Sequence, residues 1–224
     1  MRNPINLHTL SALILLSSTA LAQEVPPRDG MMLDPAKGLE IWKIYEAWLT
    51  PDQEGGEEED TPALVPKMFK SIGTPVPRAD RPDRGHGTLA FTKDLSHAYA
   101  HIKVANLKVE DVTMFHIHCG RPGELGPIIV DFSNNVNLQE GLADGELSVE
   151  ITNKDITAVI DHAHGMVGAY TSGCGINRGD LAAKMVTVAG LATIAAEGEL
   201  YFNLHTKSQQ YFGDMRVQLW PVEK

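Results

Sequence analysis

The sequence predicts a mainly β protein: an antiparallel sandwich or barrel, with helices inserted between its late strands. Three observations predict it. From Gly85 onward, apolar and polar residues alternate with period two over short runs. Glycine-bearing turns separate those runs. Two longer segments, starting at Asn153 and Asp180, switch to helical spacing instead.

The N-terminus reads as an export signal. Arg2 supplies a basic start, Leu10 to Leu16 an apolar run, and Ala20-Leu21-Ala22 an A-x-A cleavage box, so residues 1–22 are expected to be a signal peptide. Residues 23–84 read as an N-terminal helical and linker extension. In Leu39 to Leu49 (LEIWKIYEAWL), Leu39, Ile41, Trp42, Tyr45, Trp48 and Leu49 recur at helical intervals, predicting one amphipathic helix that Pro51 stops. Its Trp42, Tyr45 and Trp48 side is expected to pack on the β domain. The acidic, glycine-bearing stretch Glu54 to Asp60 reads as a solvated, mobile loop. Pro75, Pro77 and Pro82 among Arg78, Arg81 and Arg84 read as a linker.

Residues 85–224 read as the β domain. Strands are expected at 87–91, 98–104, 113–119, 127–132, 145–151, 199–206 and 214–222. A helix should start at Asn153, and a second, alanine-rich one should run from Asp180 to Ala196. Between them, five glycines in 165–179 mark a loop that carries Cys174.

Composition narrows the function. The chain has 224 residues, of which 43% are hydrophobic, enough to bury a core. Its net charge of −10 argues against nucleic acid as a partner. No apolar run reaches the ~20 residues of a membrane-spanning helix. Two cysteines allow one bridge in a periplasmic or secreted protein. In a strand, Cys119 points away from the face of His118, which makes it a poor metal ligand and a better disulfide partner for Cys174. There is no G-x-S-x-G, P-loop, H-E-x-x-H or C-x-x-C.

The histidines carry the strongest chemical signal. His116-Ile117-His118 lies in an expected strand, so both imidazoles share one face and can converge on one ion about 2 Å from each nitrogen. His205, in the expected strand 199–206, can join them if those strands come together. His101, on another expected strand, is the candidate fourth ligand. His162 and His164 fall at a helix end, where i, i+2 residues do not share a face, and are expected outside any such site. His86 and His97 are expected to be solvated. Free imidazoles protonate near pH 6.5, so metal binding is expected to weaken below that value.

Several motifs occur in a family's order. Phe115 to Asp131 (FHIHCGRPGELGPIIVD), Gly145-Glu146-Leu147 and Glu199 to Leu219 (ELYFNLHTKSQQYFGDMRVQL) together resemble the CHRD domain, named from chordin. Val217 and Asp214 depart from that pattern, which has glycine and glutamate there. The resemblance implies a Greek-key β-barrel related in shape to copper–zinc superoxide dismutase. It implies His116, His118 and His205 as ligands of a single copper ion, and Arg216 as a catalytic residue steering superoxide. No histidine-rich zinc loop follows His118, so the implied site is copper-only. Chordin is an extracellular binding protein, so the resemblance equally allows a non-catalytic scaffold module whose histidines are structural. Whether the protein is an enzyme stays open at this point.

Overall fold

The computed structural model describes residues 34–56, 61–161, 172–176 and 183–223. The expected signal peptide, His162 and His164 lie outside them. The strands are β1 (Ile41–Leu49), β2 (Arg84–Thr92), β3 (Ala98–Ala105), β4 (Val112–Cys119), β5 (Ile128–Asp131) and β6 (Glu146–Ile151), followed by β7 (Gly175–Ile176), β8 (Ala183–Lys184), β9 (Leu200–Thr206), β10 (Met215–Gln218) and β11 (Trp220–Pro221). They form a five-stranded sheet, β11-β1-β2-β3-β6, a four-stranded sheet, β10-β9-β4-β5, and the small pair β7-β8. All ladders are antiparallel. The sheets do not close into a barrel. Of the two expected forms, the sandwich is the one adopted.

Strand alternation builds the core. Tyr45, Leu89, Phe91 and Ile102 from one sheet meet Phe115, Ile117, Phe202 and Leu204 from the other, each at most 2% exposed. The chain leaves the smaller sheet after β10, and within two residues Trp220 pairs with Glu46 in the larger one. Thr50 and Arg216 exchange backbone hydrogen bonds, tying the end of β1 to β10.

Of segment 39–49, residues Ile41–Leu49 are a strand and not the helix that its spacing predicts. Apolar residues at i, i+3 and i+4 here also place Tyr45, Ala47 and Leu49 on one side at every second position, and those three are buried. Aromatic and β-branched residues favour that choice, and β2 supplies the ladder along the whole strand, with a bulge between Ile41 and Lys43. Trp42 and Trp48, expected to pack on the β domain, are instead 51% and 66% exposed.

Of the insertions, α1 (Pro35–Gly38) and α2 (Leu138–Gly141) are single turns, and α3 (Asn153–Asp161) matches the expected helix. The second expected helix is shorter: α4 covers only Val188–Ala196. Thr187 caps it, accepting a hydrogen bond from the Gly190 N–H at 3.1 Å. Upstream, Ala183–Lys184 pairs with Gly175–Ile176, so that stretch is extended. Cys119 and Cys174 form a disulfide with Cα atoms 6.0 Å apart, which ties this insertion to the end of β4.

The segments read as acidic loop and linker lie over the outer face of the smaller sheet. Glu54 is 3% exposed, against the expectation of a solvated loop, and residues 57–60 are outside the described set. Arg81, read as linker, is 3% exposed, and its Nη1 donates to the carbonyls of Gly213 and Asp214. Ile72 N–H donates to Lys207 O, and Gln209 Nε2 donates to Val76 O. This covering turns what would be a solvent face into a buried polar layer.

Candidate metal centre

The pleat of β4 sends Phe115, Ile117 and Cys119 into the core and His116 and His118 to the opposite face. On β9, Leu200, Phe202 and Leu204 point inward while Tyr201, Asn203 and His205 point outward. The register sets His118 against Tyr201, His116 against Asn203 and Met114 against His205. His205 is therefore the diagonal neighbour of His116. The ring centroids are 5.3 Å apart for His116–His118, 5.3 Å for His116–His205 and 6.3 Å for His118–His205.

All three histidines are at most 5% exposed. Each has one nitrogen with a neighbour and one without. His118 Nδ1 is 2.8 Å from Gly126 O, and His205 Nδ1 is 3.0 Å from Gln210 O. His116 Nε2 lies 3.8 Å from an Asp131 carboxylate oxygen. The remaining His116 Nδ1, His118 Nε2 and His205 Nε2 are buried and make no hydrogen bond. One nitrogen from each ring falls within 4.8 Å of the others. Buried polar atoms without partners are costly, and three neutral imidazoles facing one point form a donor set for a metal ion. The residues fit such an ion, with Gly126, Gln210 and Asp131 orienting the rings from behind.

Electrostatics hold the donors in the metal-binding form. Desolvation pushes His118 down to about 3, against the opposing pull of its Gly126 hydrogen bond, and His205 and Arg216 add to the shift. Burial likewise lowers His205 to about 4. His116 falls well below the usual imidazole value through burial and the charges that its two neighbours would carry. The expectation that these rings protonate near pH 6.5 is thus corrected by their burial.

His101 does not join them. It stands exposed on the outer face of the other sheet, with Nδ1 2.8 Å from Ser148 Oγ and Nε2 3.9 Å from Glu146. Strand membership alone does not say which sheet a strand enters. His86 and His97 are partly exposed and lie beside Glu46 and Glu150.

Arg216 lies near the trio but is only 4% exposed. Its guanidinium carbon sits 3.6 Å from the centroid of the Tyr201 ring, and its Nη2 donates to Arg121 O at 3.0 Å. It also lines a cleft of about 480 Å³ together with Arg78, Glu54, Pro122 and Phe212.

Two contributors escaped the sequence reading. Tyr201 stacks on His118 with centroids 4.9 Å apart, and its hydroxyl accepts the Gly126 N–H at 2.9 Å. Gly126 has no room for a side chain: a Cβ there would fall 1.6 Å from Cys119 O. Their available signals were the outward phase of Tyr201, Asn203 and His205 along β9 and the Gly-Pro step before β5.

No curated protein and no solved structure matches this chain. The family model of the CHRD domain matches residues 68–219, a span that runs from the segment covering the smaller sheet to the end of β10. With that match extending over well more than half of its length, the chain belongs to the CHRD domain family.

Proposed function

We propose that this CHRD protein is exported and binds one copper ion through His116, His118 and His205. The observation that carries the reading is a buried trio of imidazoles, each with one nitrogen that makes no hydrogen bond, in which one nitrogen of each ring lies within 4.8 Å of the others. Copper is favoured among divalent ions because it leads the affinity order for nitrogen donors, and imidazole suits both of its common oxidation states. The Cys119–Cys174 bridge fits a non-cytosolic, oxidising compartment.

When bound, copper would supply one-electron redox chemistry. The protein's own contribution is to hold three neutral imidazoles and to exclude bulk water. Arg216, which lines the cleft together with Arg78 and acts electrostatically on His118, supplies positive charge close to the histidines. That placement supports a second reading, dismutation of superoxide.

Metal analysis of protein exported by its host, followed by copper titration in competition with zinc, tests the first reading. One copper per chain is expected. His118→Ala should cost orders of magnitude in affinity while leaving a folded sandwich. Unchanged copper affinity in the triple alanine variant at 116, 118 and 205 would refute the assignment. Copper-loaded protein that leaves superoxide decay unaccelerated would remove the dismutase reading and keep copper binding.

A further inference from the structure

The three side chains His118, Tyr201 and Arg216 form a continuous stack on the buried face of the smaller sheet. The Tyr201 ring lies nearly parallel to the His118 imidazole, with an interplanar angle of 12° and centroids 4.9 Å apart. The Arg216 guanidinium lies 3.6 Å from the centroid of the same ring. Tyr201 is fully buried and Arg216 is 4% exposed. The stack is locked at both ends: Gly126 hydrogen-bonds both the Tyr201 hydroxyl and His118 Nδ1, and Arg121 O holds Arg216 Nη2. No ion pair to Arg216 is found within 4 Å among the described residues. A fixed, largely buried guanidinium charge therefore stands one aromatic ring away from a candidate copper ligand.

We propose that Arg216 and Tyr201 are positioning residues that set the redox poise of the metal at His118: Tyr201 fixes the imidazole plane, and the Arg216 charge favours the lower-charged Cu(I) over Cu(II). This rests on the copper reading above and adds a role for Arg216 that does not require contact with any substrate. The sign follows from electrostatics. Oxidation adds one positive charge at the metal, and a nearby cation opposes it. A unit charge at this separation, with an effective dielectric near 20, corresponds to a change of at least about tenfold in relative affinity.

The test measures the copper reduction potential of the folded, copper-loaded protein in poised redox buffers, together with separate Cu(I) and Cu(II) affinities. Arg216→Gln is expected to shift the affinity ratio at least tenfold toward Cu(II), about 59 mV downward for one electron. Arg216→Lys, which keeps the charge, should retain most of the wild-type poise. Tyr201→Phe keeps the ring and loses only the hydroxyl, so it should move the ratio less than threefold; it also serves should Arg216→Gln fail to fold. The proposal falls if Arg216→Gln binds copper at an unchanged potential, if Lys and Gln shift it equally, or if Tyr201→Phe shifts it tenfold. Wild-type protein that binds no copper would remove the copper reading itself, and this inference with it, a result distinct from copper bound at an insensitive potential.

Discussion

The buried imidazoles make a quantitative prediction about acid sensitivity. The perturbation is a fall in pH from 7.5 to 4.5 on the metal-free protein. In the unfolded chain each histidine takes a proton near pH 6.5. In the folded chain His118 and His205 resist down to about 3 and about 4, and His116 is lowered in the same direction. At roughly pH 4.5–5.5 the unfolded state thus holds nearly three more protons, fewer toward pH 6.5, where each free imidazole is only half protonated, and stability rises with pH. One opposing group lies nearby. Burial and the neighbouring Asp83 carboxylate raise Asp214 to about 7, so this pair keeps one proton in the folded state that the unfolded chain has lost. The net difference is about two protons, or about 2.7 kcal/mol of stability lost per pH unit on acidification. Over the whole fall to pH 4.5 the loss is about 5 kcal/mol, between a third and all of a typical total of about 5–15 kcal/mol. Urea unfolding followed by circular dichroism at half-unit pH steps measures the slope. Replacing all three histidines with glutamine should remove the positive slope and leave the opposite, Asp214-driven one. A wild-type slope near zero between pH 5 and 6.5, or a slope that the triple variant leaves intact, would refute this reasoning.

Three other outcomes are expected. The Cys119–Cys174 bridge closes a loop of sequence separation 55, so replacing both cysteines with alanine should cost about 4 kcal/mol in the chain-entropy model, read by chemical denaturation; a loss under about 1 kcal/mol would show that the bridge constrains little. Gly126→Ala must displace the strand end at Cys119, because the new Cβ would overlap its carbonyl; copper titration should show at least about a tenfold weakening as His118 loses its Nδ1 acceptor. All three tryptophans are about half exposed or more, Trp42 at 51%, Trp48 at 66% and Trp220 at 53%. Native fluorescence should therefore be readily quenched by acrylamide and change little in position on unfolding, and a strongly blue-shifted native spectrum would contradict the strand placement of β1.

The chain's own pattern was enough for the strands from β2 to β6 and for β9, because period-two alternation reports directly which face of a pleat is buried; the expected strand 214–222 is instead β10 and β11, in different sheets, and the β7–β8 pair was not expected. It was also enough for the His116–His118 pair, since i, i+2 residues on a strand necessarily share a side. The bridge between Cys119 and Cys174 followed from the same alternation, with only two cysteines to pair.

What only the tertiary structure decided was everything that depends on partners distant in the chain. Segment 39–49 carries spacing compatible with a helix, and hydrogen bonds from β2 made it a strand. His101 and His205 both lie on strands; the first entered the five-stranded sheet and the second lies diagonal to His116, and nothing local distinguishes them. The burial of the trio is likewise non-local. The segment after β4 and the β9–β10 connection place Gly126 and Gln210 against the rings, residues that read as acidic loop and linker, Arg81 and Ile72 among them, hydrogen-bond that connection, and the burial of the rings lowers the imidazole pKa values. Sequence therefore determined which side of its strand each residue occupies, because covalent geometry sets that. Tertiary structure determined which strands adjoin and what lies over them, because hydrogen-bond register and long-range packing set those.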